Sequence, residues 1–395
     1  MSLKLQEVGS LPKPIYLLWA NRKRPLNEYQ EQMFSSIPSL KPDDVKELAY
    51  SIAGNEDPRD LALVVACMRN LIKMNSLNFD YIYTGEMHRI EMYEFMAREF
   101  AMAKTMQKAG TVRSFEDKFY TKYGIISQPD QSLFLNVKNP YLKEFELTTK
   151  ICKRLKIDIS KLKVPMTGPY TMVNWSYLWH DYQDYEQVVS DYVSCFASVL
   201  GKWAKELVDL GCTCIQIDEP AATTMPAQMS VFSHGLKLIH NAFLDLKTKP
   251  KFIVHICYSD WKILIPFVEA IKKAGFSQVM LELSSSLKRM NPAPMHKGWV
   301  KEKENLPEVT KLFEEIKRTG LEIGLGILDV HTDIMEEVNY SAELAHMVTN
   351  ALDEEVVWLN PDCGLRTRKL DIADQKLELL STISKTYDEL SDVNR

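Results

Sequence analysis

No stretch of the 395-residue sequence approaches about 18 consecutive apolar residues, so no transmembrane helix is expected and no membrane is an expected partner. The opening residues, Met1-Ser-Leu-Lys4, lack a basic segment followed by an apolar core, so no secretion signal is expected. Charge of a single sign is also missing. The 48 Lys and Arg stand against 53 Asp and Glu, a formal net charge of −5 with the signs mixed, and nucleic acid is not an expected partner. There is no low-complexity linker and no repeated motif. Gly324-Leu-Gly326 is too short for a nucleotide loop, and nothing else resembles a phosphate-binding glycine motif with its helix. The seven cysteines are scattered and odd in number, which argues against a disulfide framework and for free thiols in a reducing cytoplasm. Some of them are therefore free to bind metal.

What the chain does have is a rhythm. Its composition, 46% hydrophobic and 26% charged, is that of an ordinary globular protein. Eight segments read as strands running into turn or polar residues: Leu5–Ser10, Tyr81–Glu86, Val164–Gly168, Thr213–Asp218, Phe252–Cys257, Gln278–Leu283, Ile323–Val330 and Val356–Cys363. Between them, apolar residues near i, i+3, i+4 and i+7 predict helices over Pro58–Met74, Tyr185–Leu210, Trp261–Ala274, Leu306–Thr319, Met335–Leu352 and Asp374–Leu390. Strands alternating with helices imply an α/β protein, and eight of them a (β/α)8 TIM barrel forming a single domain over residues 1–395. Two stretches exceed the minimal barrel. Leu11–Asp57 follows the first strand, with Asn27–Phe34 and Pro42–Ala53 expected to be helical. Thr105–Asp158 lies between the second and third strands, with Ser132–Val137 expected as a strand of an excursion.

The polar residues gather at the strand ends: Ser10, Glu86, Thr167, Asp218, His255 with Cys257, Glu282, Asp329 with His331, and Asp362 with Cys363. In barrels of this type the C-terminal strand ends form the active face. A parallel strand buried on both sides has little reason to carry an acid, because an unpaired buried charge costs several kcal/mol or more. One shared pocket is therefore expected.

His255 and Cys257, two residues apart, point to the same side of a strand, roughly 6.6 Å apart along the chain. With Glu282 and Cys363 at matching ends they make a candidate zinc site of two thiolates, an imidazole and a carboxylate. Taken alone, the His-x-Cys pair reads as well as a core histidine beside a small buried hydrophobe. Such an anionic ligand set suits activation of a substrate thiol, since zinc lowers a thiol pKa and the ligand charge keeps the sulfur nucleophilic. Cys212-x-Cys214 looks like a second metal pair, but it precedes Asp218 on its strand, far below the mouth, and is read as core packing.

Glu86 and Asp218 fit an α-ammonium group, and Ser10 with its neighbouring backbone fits a carboxylate. Together these are handles for an amino acid. His331 is placed to donate a proton to a leaving group, and Trp175 to stack on a flat heterocycle.

The chain resembles the catalytic, C-terminal barrel of the cobalamin-independent methionine synthase family. The resemblance is carried by Val8-Gly-Ser10-Leu-Pro12, Gly85-Glu86-Met-His-Arg89-Ile-Glu-Met92, Met166-Thr-Gly-Pro169, Ile215-Gln-Ile-Asp218-Glu-Pro-Ala221, His255-Ile-Cys257-Tyr258, Glu282-Leu-Ser284, Asp329-Val-His331 and Asn360-Pro-Asp-Cys363-Gly-Leu-Arg-Thr-Arg368. It implies Zn2+ on His255, Cys257, Glu282 and Cys363. It also implies homocysteine and then methionine on Val8, Ser10, Glu86 and Asp218, His331 as proton donor, and Trp175 against the folate. The implied reaction is methyl transfer to the L-homocysteine thiol, giving L-methionine, from a folate-type donor or a methyl-corrinoid protein. A related zinc alkyltransferase acting on another thiol such as coenzyme M, and a non-catalytic metal- or amino-acid-binding barrel, are the alternatives. Three departures fall away from the thiol half of the site. The second barrel of the long members lies outside these residues. Thr224 stands where an acidic, folate-contacting residue is expected, and Tyr120–Ile126 lies roughly where the long enzymes carry an Arg-Cys-x-x-Pro-Pro segment.

Overall fold

The computed structural model describes residues 3–113, 119–257, 261–284 and 306–393. Among them, ten strands occur in chain order: β1 (Lys4–Leu5), β2 (Met106–Arg113), β3 (Phe119–Ile125), β4 (Lys163–Thr167), β5 (Tyr177–Leu178), β6 (Cys214–Asp218), β7 (Lys251–Ile256), β8 (Gln278–Glu282), β9 (Glu322–Leu328) and β10 (Val357–Pro361). Seven form one sheet in the order β1-β10-β9-β8-β7-β6-β4, every pairing parallel. Residues 81–82 touch both edges of this sheet. Single parallel bridges join Gln6 to Tyr81 and Ile82 to Leu162, with Ile82 N–H donating to Lys161 O at 2.9 Å and Lys163 N–H to Ile82 O at 3.1 Å. The segment expected as a strand over Tyr81–Glu86 is this short because the chain turns away at once: Gly85 and Glu86 both adopt left-handed φ, 72° and 58°.

The connecting helices start where their sequences supply caps. Asp57 accepts from Arg59 N–H ahead of the helix Pro58–Ser76, and Asp184 accepts from Glu186 and Gln187 N–H ahead of Tyr185–Asp209. Their apolar stripes pack between helix and sheet in one continuous outer core. A second, small cluster of Val8, Cys214, Ile253 and Met280 fills the inside of the curled sheet. Cys212 and Cys214 are both buried, Cys214 within that inner cluster, in keeping with core packing.

The two long connections are also ordered. After β1 come helices Ile15–Asn21, Gln30–Phe34 and Pro42–Ala53. In the second, Ser132–Val137 is not a strand: Gln131–Leu135 is a short helix, capped by Asp130, which accepts from Ser132 N–H at 2.9 Å. The capping side chain offers a helical start that the short apolar run did not reveal. The strands of this excursion are β2 and β3, an antiparallel hairpin extended by β5, which runs parallel to β3. No helix among the described residues is long and apolar enough to cross a membrane.

Candidate active site

Parallel register brings the polar strand ends together. Asp218 at the end of β6 pairs with His255 on β7. A pocket of about 780 Å³, part of it open to solvent, lies over them and is lined on its thiol side by Val8, Ser10, Glu86, Asp218, His255, Cys257 and Cys363. Trp175, His331, Tyr120 and Arg366 line the same pocket.

The ligand atoms of His255, Cys257 and Cys363 all lie within 4.8 Å of one another. The ring of His255 is buried and neither of its nitrogens has an oxygen or nitrogen partner. A buried imidazole left in that state is costly unless something else coordinates it, and two sulfurs are at hand. Burial alone would lower the His255 pKa, but its contact with Cys363 outweighs this and raises it. The two thiols share a hydrogen bond. It holds Cys363 well below the ordinary thiol range, with the His255 charge acting in the same direction, and pushes Cys257 up. The cluster is thus predisposed to carry anionic sulfur, which is what a thiophilic divalent ion requires. Glu282 ends the adjacent strand β8. It lies outside this three-residue cluster, with its carboxylate 3.4 Å from His331 Nε2.

The two buried carboxylates of the pocket are held from behind. Glu86 is buried, and its carboxylate meets Arg89 Nη1 at 3.1 Å; Arg89 Nε in turn meets Glu144 at 3.0 Å. Arg89 is itself buried against the rings of Tyr83, Phe95 and Tyr141, 5.0 to 5.9 Å from the ring centres. A left-handed residue bearing a side chain is uncommon, and at Glu86 it directs a buried acid into the pocket. Asp218 Oδ1 accepts from Gln216 Nε2 at 2.6 Å, and the same amide donates to Val8 O at 2.6 Å. Gln216 therefore ties the Asp218 carboxylate to the backbone two residues before Ser10. Burial pushes the Asp218 carboxyl up to about 7. Deeper still, Glu7 is buried with neither carboxylate oxygen hydrogen-bonded, and burial pushes it up to about 8 against the pull of Lys163.

Trp175 follows the short helix Pro169–Asn174, its ring edge-on to Tyr93 at 6.1 Å. His331 sits just beyond β9, its N–H donating to Asp329 Oδ1 at 2.8 Å. Arg89 and Gln216 were legible in principle, since one follows Glu86 by three residues and the other shares a strand face with Asp218. Tyr120 and Arg366 also reach the pocket; Arg366 follows Cys363 by three residues and Tyr120 opens the Tyr120–Ile126 stretch, but neither stood out by its own chemistry.

The pattern described as "Cobalamin-independent synthase, Catalytic domain" matches residues 65–293 and 300–386. A methionine synthase of Thermoplasma volcanium is 31% identical over 351 residues, covering 85% of this chain and 92% of that protein. The 5-methyltetrahydropteroyltriglutamate–homocysteine methyltransferase of Thermotoga maritima is 27% identical over 320 residues, 79% of this chain but only 38% of that longer protein. Among solved structures, a B12-independent methionine synthase of a Shewanella species superposes over 100% of both chains with a TM-score of 0.66 at 19% identity, a likeness of fold.

Proposed function

The chain belongs to the cobalamin-independent methionine synthase family through its catalytic domain, and from that premise we propose that it methylates the thiol of L-homocysteine to give L-methionine. The observation that carries this reading is the meeting of a His255–Cys257–Cys363 cluster with two buried carboxylates, Glu86 and Asp218, in one pocket. The cluster fits Zn2+, with Glu282 as the fourth protein ligand; zinc in that place would acidify a substrate thiol near neutral pH.

The chain's own residues account for the remainder. Glu86 and Asp218 receive the α-ammonium, and Ser10 with the Val8 backbone receives the carboxylate. Gln216 and Arg89 keep these groups in register, so the thiol is presented at a fixed distance from the donor. His331 Nε2, next to the Glu282 carboxylate, holds the proton that a folate nitrogen needs in order to leave. Trp175 lies under the donor ring. A sulfonate-bearing thiol such as coenzyme M has no ammonium to place between the two carboxylates, which favours an amino acid. The name of the Thermotoga maritima relative supports a folate-type donor, and no relative described above supports a corrinoid protein in that role.

We further read the sheet as a closed eight-stranded (β/α)8 barrel in a single domain, with residues 81–82 as the eighth strand; the two bridges to β1 and to Leu162 ahead of β4 support this. A cytoplasmic setting agrees with seven unbridged cysteines. The test is a donor screen: zinc-loaded protein, homocysteine and each candidate methyl carrier, with methionine followed by mass spectrometry. Methionine formed with a methylfolate supports the reading. Its absence with every carrier contradicts it.

A further inference from the structure

The loop 329–337 joins β9 to the helix Val338–Ala351 and brings Val330 and His331 to the pocket wall. A connection of this kind, without regular structure of its own, is ordinarily mobile. Here it is fastened from end to end. Glu336, near its close, reaches back to its start, where Oε1 accepts from Asp329 N–H at 2.8 Å. Asp329 Oδ1 in turn accepts from His331 N–H at 2.8 Å. The other Glu336 oxygen, Oε2, accepts from Lys376 Nζ at 3.0 Å, and Lys376 also donates to Ile334 O at 2.9 Å. A continuous chain of hydrogen bonds thus runs from Lys376 through Glu336 and Asp329 to the backbone of His331, whose Nε2 lies 3.4 Å from the Glu282 carboxylate.

Lys376 belongs to the helix Leu370–Val393 and shares its buried face with Ala373, Leu377 and Leu380. Its side chain is 0% exposed and that of Glu336 is 4% exposed. An ammonium on such a face must shed its water, and a buried ion pair seldom stabilises a fold more than apolar residues of the same volume would. Helix packing therefore gives no reason for a lysine at this position. What the pair supplies is direction. Charge-assisted hydrogen bonds fix a geometry, and these fix it in the loop that presents His331.

We propose that Lys376 and Glu336 are positioning residues for His331: together they form a buried brace that sets where its ring stands over the pocket. Neither touches the substrate, so both act through the loop backbone. The proposal rests on the methyl-transfer reading for what His331 does there, whereas the brace itself can be measured on the loop.

The test is a double-variant cycle on zinc-loaded protein with homocysteine and 5-methyltetrahydrofolate, comparing K376M, H331N and K376M/H331N. K376M/E336A, which removes both charges and so leaves no orphaned acid, enters the same cycle in case K376M does not fold. Backbone hydrogen exchange, followed by mass spectrometry, is measured on every variant. Loss of the brace should lower kcat about tenfold or more, since small misplacements of a catalytic group are costly. The homocysteine KM and the zinc content should stay within twofold of wild type. In the H331N background the same change should slow turnover by less than twofold, because the group being positioned is already gone. A purely structural role would slow both backgrounds equally. Amides of 329–337 should exchange at least tenfold faster without the brace, while those of β9 keep their wild-type rates. A kcat within twofold of wild type in K376M/E336A overturns the proposal, as do equal losses with and without His331. Methionine formation with unchanged kcat and unchanged loop exchange refutes the brace and leaves the reaction standing. Faster loop exchange in a protein whose wild type makes no methionine refutes the reaction and leaves the brace.

Discussion

Replacing Arg89 by Met removes one guanidinium and leaves its hydrophobic surroundings intact. Arg89 lies between Glu86 at 3.1 Å and Glu144 at 3.0 Å, with all three side chains no more than 6% exposed. Methionine still fills the space among Tyr83, Phe95 and Tyr141, so the loss is electrostatic. At such distances each pair is worth on the order of 5 kcal/mol at an effective dielectric of about 20, most of it offset by desolvation. The asymmetry decides the outcome: deleting the cation leaves two buried acids facing each other, and breaking a buried pair in this way costs about 3–5 kcal/mol. R89M should therefore lose about that much in equilibrium urea unfolding followed by tryptophan fluorescence, and R89M/E144Q should recover part of it by removing one of the two orphaned charges. Glu86, no longer tethered, should also raise the homocysteine KM by roughly tenfold, the worth of one charge-assisted contact. A loss below about 1 kcal/mol, or a double variant no more stable than R89M, would refute the assignment of Arg89 as the clamp on Glu86.

Glu7 gives a pH-dependent prediction. Burial raises its carboxyl from the ordinary 4.5 to about 8, so the fold favours the neutral form. The stability this contributes is fully present below about pH 4.5 and is lost as pH rises through about 8. E7Q, neutral at every pH, should gain in stability relative to wild type between pH 5 and pH 8 in paired urea titrations; a constant difference across that window contradicts the account. G85A should destabilise by at least about 1–2 kcal/mol, the cost of a left-handed L-residue, since Gly85 has φ 72° and an added Cβ would lie 2.8 Å from Asn70 Nδ2 and Leu11 Cβ. Because Gly85 also sets the turn that aims Glu86, the homocysteine KM of G85A should rise as well, and a wild-type melting temperature would count against the turn's role.

Much of this architecture was legible before any coordinates, for a physical reason. Strands buried on both faces must be apolar, so the polar ends of β6, β7, β8 and β10 stood out against their own segments. Asp218, His255, Glu282 and Cys363 were found in that way. The helix Tyr185–Asp209 was visible because its 3.6-residue stripe is long and its cap, Asp184, is explicit. Local reading failed where short elements take their conformation from neighbours. Ser132–Val137 has the apolar content of a strand, but Asp130 turns it into a helix. The hairpin of β2 and β3 carries Lys, Gln and Gly at positions that a strand core would not show, and it is held by Trp179 and Tyr93 from distant segments. The clamps on the site, Arg89–Glu144 and Gln216–Val8, are contacts 55 and 208 residues apart in sequence, beyond any periodicity.

The central claim is that His255, Cys257 and Cys363 hold a metal ion at the mouth of the sheet. Zinc per chain, measured by plasma mass spectrometry after exhaustive dialysis of zinc-loaded protein, tests it most directly. The account predicts about one zinc per chain in the wild type and its near-complete loss in H255A, C257S and C363S. Full zinc retention by a folded C257S/C363S double variant would contradict it.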